Sequence, residues 1–316
     1  MKTLFVYILV ALGVVAVGVA LPQFFKVSYF YFAAQMILQY VILATAWNVL
    51  GGYTGYVNFG VAAFFALGAY TAAVFILFLK LHLVIALLAG GLVSGLLGFG
   101  IGYLTLRLRG VYFAIATLAL SVVIQMIIVN SPYLGGAKGL YIIRPKPFPP
   151  FSSYSEYLFA LVLLLSFLSV ITARSIEKSW IGRCFASIKD SEEAAACLGV
   201  PVFRLKLFAT TLSGFWMGVA GATFPYYITY LEPYSAMSLD VAVNTLAMSL
   251  VGGTGTWLGP VIGAVLLGIV HQVVTVAFSS DFNLLFSGII LIGFVILAPE
   301  GIIGWFRRSD KQRLSQ

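Results

Sequence analysis

The chain has 316 residues, 61% hydrophobic and 9% charged, with a mean hydropathy of +1.05. That apolar content far exceeds what a water-soluble core needs, so a soluble enzyme or nucleic-acid-binding protein is excluded despite the net charge of +8. The apolar runs do not alternate residue by residue over about ten positions, which excludes a membrane β-barrel and leaves an all-α, polytopic membrane protein.

Taken in chain order, the runs able to cross about 30 Å of hydrocarbon as helices predict ten spans. They fall at 3–21, 29–50, 58–79, 83–106, 111–130, 156–173, 207–230, 238–252, 258–278 and 283–298. Lys2 precedes the first run, whose apolar stretch is long for a signal peptide, so it reads as a retained helix. With both termini inside, thirteen of the 18 Lys and Arg fall in inner segments, against Lys26, Lys80, Lys138, Arg144 and Lys146 outside. Short cytoplasmic loops hold the positive excess, which gives an N-in/C-in topology.

Two connections are long. Residues 131–155, "SPYLGGAKGLYIIRPKPFPPFSSYS", lie outside, and 174–206 lie inside. The others are a few residues each, so the chain is one transmembrane domain, 1–316, without a soluble catalytic unit. Within the spans no Lys, Arg, Asp or Glu stands away from an end, and Asp240 sits at an outer boundary. Ion-coupled transporters carry their coupling on such costly intramembrane groups, so a secondary transporter is disfavoured. His82 and His271 cannot form a cross-helix haem pair. Cys184 and Cys197 have no Cys or His at zinc spacing and read as ordinary thiols in a reducing compartment. Neither catalytic residues, metal ligands nor a cofactor are expected.

Small-xxx-small runs, "GLVSG" (Gly91–Gly95), "GFWMG" (Gly214–Gly218) and "GPVIG" (Gly259–Gly263), suit close helix approach. "VGGTGTWLGP" (Val251–Pro260) lacks the Gly-Lys-Ser/Thr ending and preceding strand of a phosphate loop. It reads as a break between membrane helices, either beside a substrate path or as a plain tight turn. Asn48, Asn58, Gln125 and Asn244 are polar groups in or beside apolar spans, where an unpaired group is costly. Interhelical hydrogen bonding and lining of a pathway both account for them.

The inner loop contains "SIKDSEEAAACLGVP" (Ser187–Pro201), which crowds four ionisable residues into Lys189–Glu193. Its punctuation predicts a two-turn helix from Ser191 to Leu198. Asp190 would cap it and Glu193 would close a capping box. Glu192 and Glu193 suit the helix dipole, Ala194–Ala196 favour helix, and Gly199 with Pro201 end it. A helix this short is unstable alone. It needs the membrane domain on one side, and its low alanine surface suits a partner's groove on the other.

"EAAACLG" (Glu193–Gly199) matches the Glu-Ala-Ala-x-x-x-Gly signature of ABC-importer permeases. The longer run Gly182–Phe224, with "GVAAFFALGAYTAA", "YFAIATLAL", "GGAKGL", "LVGGTGTWLGPVIGAVLL" and "PEGIIGWFRR", resembles the permease subunits of branched-chain amino acid importers over about residues 40–308. Val61 stands where members commonly have His, and the Ile-x-Leu-Pro ending of the broader signature is missing. The resemblance implies a bacterial cytoplasmic membrane location and three kinds of partner. These are a second permease subunit, two ATP-binding cassette subunits, and an extracytoplasmic solute-binding protein. It also implies that the loop helix couples ATPase closure to the spans through Arg183, Asp190, Glu192, Glu193, Ala194, Ala195 and Gly199. The expected cargo is branched-chain amino acids; relatives carrying urea, short amides or other small solutes keep a second cargo open, and an ATP-independent facilitator is a third reading.

Overall fold

The structure, a computed structural model, describes residues 28–80, 82–105, 108, 110–142 and 153–277, with scattered positions within 285–304. The expected span 3–21, most of 283–298 and part of the outer loop lie outside the described residues.

The apolar runs become helices α1 (Ser28–Thr54), α2 (Val61–Leu77), α3 (Leu83–Thr105) and α4 (Val111–Val129). Next come α5 (Tyr154–Lys178), the short α6 (Trp180–Asp190) and α7 (Glu192–Cys197), and α8 (Val202–Ile228). A single turn α9 (Pro233–Ala236) leads into α10 (Leu239–Gly252), and α11 (Gly259–Ala277) follows. Among the described residues, seven helices are long and apolar enough to cross a membrane, with α9 and α10 counted as one run, and α2 is a shorter apolar helix. Each lies within a few residues of its expected span. The inner loop is the exception. The structure extends α5 to Lys178 and starts α8 at Val202, so that 174–206 is almost entirely helical.

The centre of the bundle is α2, α3 and α8 in close contact. A Cβ on Gly68 would meet the carbonyl oxygen of Gly218 at 2.0 Å, and one on Gly218 would meet the Ser94 side chain at 2.4 Å. Only glycine permits that approach, which maximises packing where lipid offers no hydrophobic drive for helices to associate. Ser94 Oγ donates to Phe64 O at 2.9 Å, tying α3 to α2. Along α1, every residue from Val41 to Thr54 is buried, so its second half runs through protein rather than along a surface. In contrast, α4 is peripheral, with only 22% of its most apolar window buried.

Successive long helices reverse direction, so each end of the bundle collects a set of connections. One end holds α6 and α7, the α1–α2 connection and the α10–α11 connection. At the other end a two-residue antiparallel pair, β1 (Leu140–Tyr141) with β2 (Tyr230–Leu231), fastens the α4–α5 loop to the exit of α8. Tyr230 Oη donates to Lys138 O at 2.9 Å and reinforces that pairing.

Candidate functional site: the α6–α7 platform

Two serines build the platform. Ser179 ends α5 and caps α6, its Oγ accepting from Gly182 N; Ser191 ends α6 and caps α7, its Oγ accepting from Ala194 N at 3.3 Å. The expected cap at Asp190 is therefore corrected. Asp190 is the last residue of α6, because Ser191 N donates to Ser187 O and closes that helix first. Glu193 accordingly occupies the second helical position, and a capping box is not available to it.

The C-terminus of α7 follows the sequence pattern. Gly199 has φ +82, Gly199 N donates to Ala196 O, and Val200 N donates to Ala195 O. That pair of bonds is the Schellman arrangement. Its apolar counterpart is present too, since Ala195 and Val200 join one cluster with Phe185 and Ile188 of α6, Leu50 of α1 and Leu205 of α8. Ala195 is the inward side of α7. Ala194, Ala196, Cys197 and Leu198 face solvent, Leu198 at 81% exposure.

An ion pair fixes the other edge of α7. Lys206 Nζ lies 2.8 Å from Glu192 Oε1, with side-chain exposures of 2% and 23%. The Glu192 carboxylate also accepts from Tyr56 Oη, and Lys206 donates to that hydroxyl at 2.9 Å with its ammonium over the phenol ring. Tyr56 packs edge-on against Phe113 of α4, 5.3 Å between centroids. Three elements distant in sequence thus meet at one desolvated charge pair. A buried lysine is tolerable only when its charge is matched and its protons are accepted, and both conditions hold here. Counting Lys206 as an inner-loop cation missed that it is buried in the first turns of α8.

The α10–α11 connection abuts the same end. Asn48 Nδ2 donates to Thr256 O at 3.0 Å, and Asn48 Oδ1 accepts from Gly255 N at 3.1 Å. Glu177 Oε2 accepts from Trp257 N at 2.6 Å and from Tyr53 Oη at 3.4 Å, while the Arg174 guanidinium lies 4.9 Å from the Trp257 ring centroid. The structure shows "VGGTGTWLGP" as a turn between α10 and α11, held by side chains of α1 and α5. Lys189 Nζ reaches Gly52 O at 2.9 Å. Between α6 and this turn lies a cavity of about 380 Å³ whose lining includes Tyr53, Glu177, Arg183, Lys189, Asp190 and Gly255.

The polar candidates separate. Asn48 is spent on the turn just described. Asn58 accepts from Gly60 N through Oδ1 at 2.7 Å, and its carbonyl accepts from Trp47 Nε1, so it shapes the α1–α2 connection. Gln125 is half-buried on α4. Asn244, in the half of α10 away from α7, is buried; its side chain hydrogen-bonds Tyr40, and its Oδ1 has no partner. Glu177, Lys206 and Tyr56 were not singled out from sequence. The available signal was an ionisable residue adjoining each long apolar run, costly unless paired.

Among the described residues, apolar helices long enough to cross a membrane form a glycine-packed bundle with two short polar helices, α6 and α7, seated at one end. Residues 28–295 match the family described as branched-chain amino acid transport system / permease component. The chain belongs to this family. It is 30% identical over 312 residues to the high-affinity branched-chain amino acid transport system permease protein LivM of Salmonella typhimurium, covering 90% of this chain and 72% of that protein. Escherichia coli LivM is 29% identical, covering 88% and 71% respectively. The autoinducer 2 import system permease protein LsrC of an Enterobacter is 32% identical over a shorter stretch, 42% of this chain and 40% of that one. No solved structure matches.

Proposed function

We propose that the chain is the membrane-spanning subunit of an ATP-driven importer of branched-chain amino acids in the cytoplasmic membrane. It has ten spans with both termini inside, and it works with a second permease, two ATPases and an external solute-binding protein. The observation that carries the coupling role is the asymmetry of α7. Its inner edge is locked to α8 and the α1–α2 connection by Glu192, Lys206 and Tyr56, and its opposite face is exposed. A rigidly rooted helix with a free face transmits displacement, whereas a loosely attached one would absorb it. Closure of the ATPases against Ala194, Cys197 and Leu198 would move α8 and α1 together, biasing two packings of the bundle.

The cargo reading rests on the LivM relatives. The LsrC similarity supports a second cargo, another small organic solute, on the same machinery. Reconstitution in liposomes with the partner subunits tests both. Leucine uptake that requires ATP and the binding protein is expected. Leucine uptake without ATP would instead identify a facilitator, and ATP-driven uptake of a different solute only would reassign the cargo.

A further inference from the structure

At the end of the bundle opposite α7, a second cavity of about 260 Å³ lies between the outer halves of α1, α10 and α11. Its lining includes Tyr29, Phe32, Tyr40, Asn244, His271 and Gln272. Toward the α7 end it is shut one turn below by Val41, Ala44, Met248, Ala264 and Leu267, a packed apolar cluster. Toward the other end its edge residues Tyr29, Phe32 and Thr275 are exposed. The cavity is therefore closed toward the α7 end, and its exposed edge lies at the opposite end.

The lining is selective in its chemistry. Asn244 is 6% exposed; its amide hydrogen-bonds Tyr40, another lining residue, and its Oδ1 has no partner. Such an orphan carbonyl inside a membrane bundle costs free energy unless something arrives to donate to it. Every other Asn oxygen discussed above is spent within the protein. Phe32, Met36 and Ile37 supply an apolar wall beside it. No Lys, Arg, Asp or Glu lines the space, so a net charge would find no counter-ion there.

We propose that this cavity is a transient solute site on the outward side of the transport path. It takes a small, net-neutral molecule that offers an N–H donor to Asn244 Oδ1 and an aliphatic body to Phe32, Met36 and Ile37. An aliphatic amide meets that chemistry outright, and an aliphatic amino acid meets it with its carboxylate left toward the exposed edge of the cavity. The inference rests on the reading of the chain as a permease, and the test keeps the two apart.

In a background carrying Cys184→Ala and Cys197→Ser, Asn244→Cys and Tyr133→Cys are placed in the complete importer in intact cells. A membrane-impermeant thiosulfonate is then added from outside. Tyr133 is the comparison, in the 131–155 loop and 83% exposed but absent from the lining. Asn244→Cys should be modified, and leucine or 4-methylpentanamide should slow modification at least threefold. Tyr133→Cys should be modified with no solute dependence. Protection by leucine alone would assign the donor to an ammonium group, and protection by the amide alone to an amide N–H. An Asn244→Cys that is unreactive from outside, or that reacts at one rate whatever solute is present, overturns the site. A failed permease reading shows separately, as absent uptake in the cysteine-free parent, and external reactivity of Asn244→Cys still decides whether the cavity is open to water.

Discussion

Lys206 is a buried charge in the first turns of α8, beside exposed Phe203, Arg204 and Phe208, and that placement has a consequence at the level of one residue. Replacing it by Met keeps length and apolar stem but strands Glu192, whose side chain is 23% exposed. Full burial of an unpaired partner costs about 3–5 kcal/mol and an exposed pair under 1, so roughly 1–3 kcal/mol is expected here. Lys206→Met should therefore loosen α7, read as faster proteolysis within 191–200 and a lower midpoint of thermal unfolding. Adding Glu192→Gln removes the stranded charge, so the double variant should be less impaired than the additive sum. Additive losses would mean that the two side chains do not act as a pair. None of this was legible in the sequence. Composition identifies Lys206 and Glu192 as opposite charges, but Tyr56 lies 150 positions from Lys206, and nothing in the spacing says that the three converge. Asp190 illustrates the reverse limit. Asp and Ser are both good caps, and only the closing of α6 on Ser187 decides between neighbours.

At the scale of elements, hydropathy located every long described helix, because a run of about 20 apolar residues leaves helix as the one way to satisfy its backbone in lipid. It did not find α6. Ile181, Cys184, Phe185 and Ile188 are spaced for one buried face, but the polar residues between them make the segment read as loop. Glycine effects now divide by geometry. A Cβ on Gly218 would sit 2.7 Å from Gly90 O as well as against Ser94, so Gly218→Ala must spread α3 from α8 and should cost about 1–3 kcal/mol. Gly100 on α3 has nothing within 4 Å of the same position, so Gly100→Ala should leave the unfolding temperature unchanged or slightly raised. Equal effects of both substitutions would show that the small residues are not contacts. Gly199 is a third type. Its Cβ position is also open, so Gly199→Val is opposed only by φ +82, worth roughly 1 kcal/mol. Asn tolerates that conformation, so Gly199→Asn should retain ATPase co-purification and substrate-stimulated hydrolysis where Gly199→Val loses one or both. Wild-type coupling in Gly199→Val would remove the end of α7 from the coupling path.

For the whole molecule, the alternation of helix directions makes one claim about both ends at once. Cys197 on α7 and Lys138 before β1 stand on opposite ends of the bundle, and both are exposed. In the proposed topology, which the positive-charge asymmetry supports, the α7 end faces the cytoplasm; there the proposed ATPases would cover Cys197, while Cys184 is buried and should stay silent. An impermeant maleimide added to intact cells should therefore tag a Lys138→Cys variant and leave native Cys197 untouched. After permeabilisation Cys197 should react, and more slowly when the ATPases are present than when they are absent. Lys138→Cys supplies the internal control, since its rate should not depend on the ATPases. Labelling of Cys197 in demonstrably intact cells would reverse the orientation, and with it the assignment of the Asn244 cavity to the outer side. Unchanged Cys197 reactivity with and without ATPases would leave the orientation standing but show that the exposed face of α7 is not where they bind.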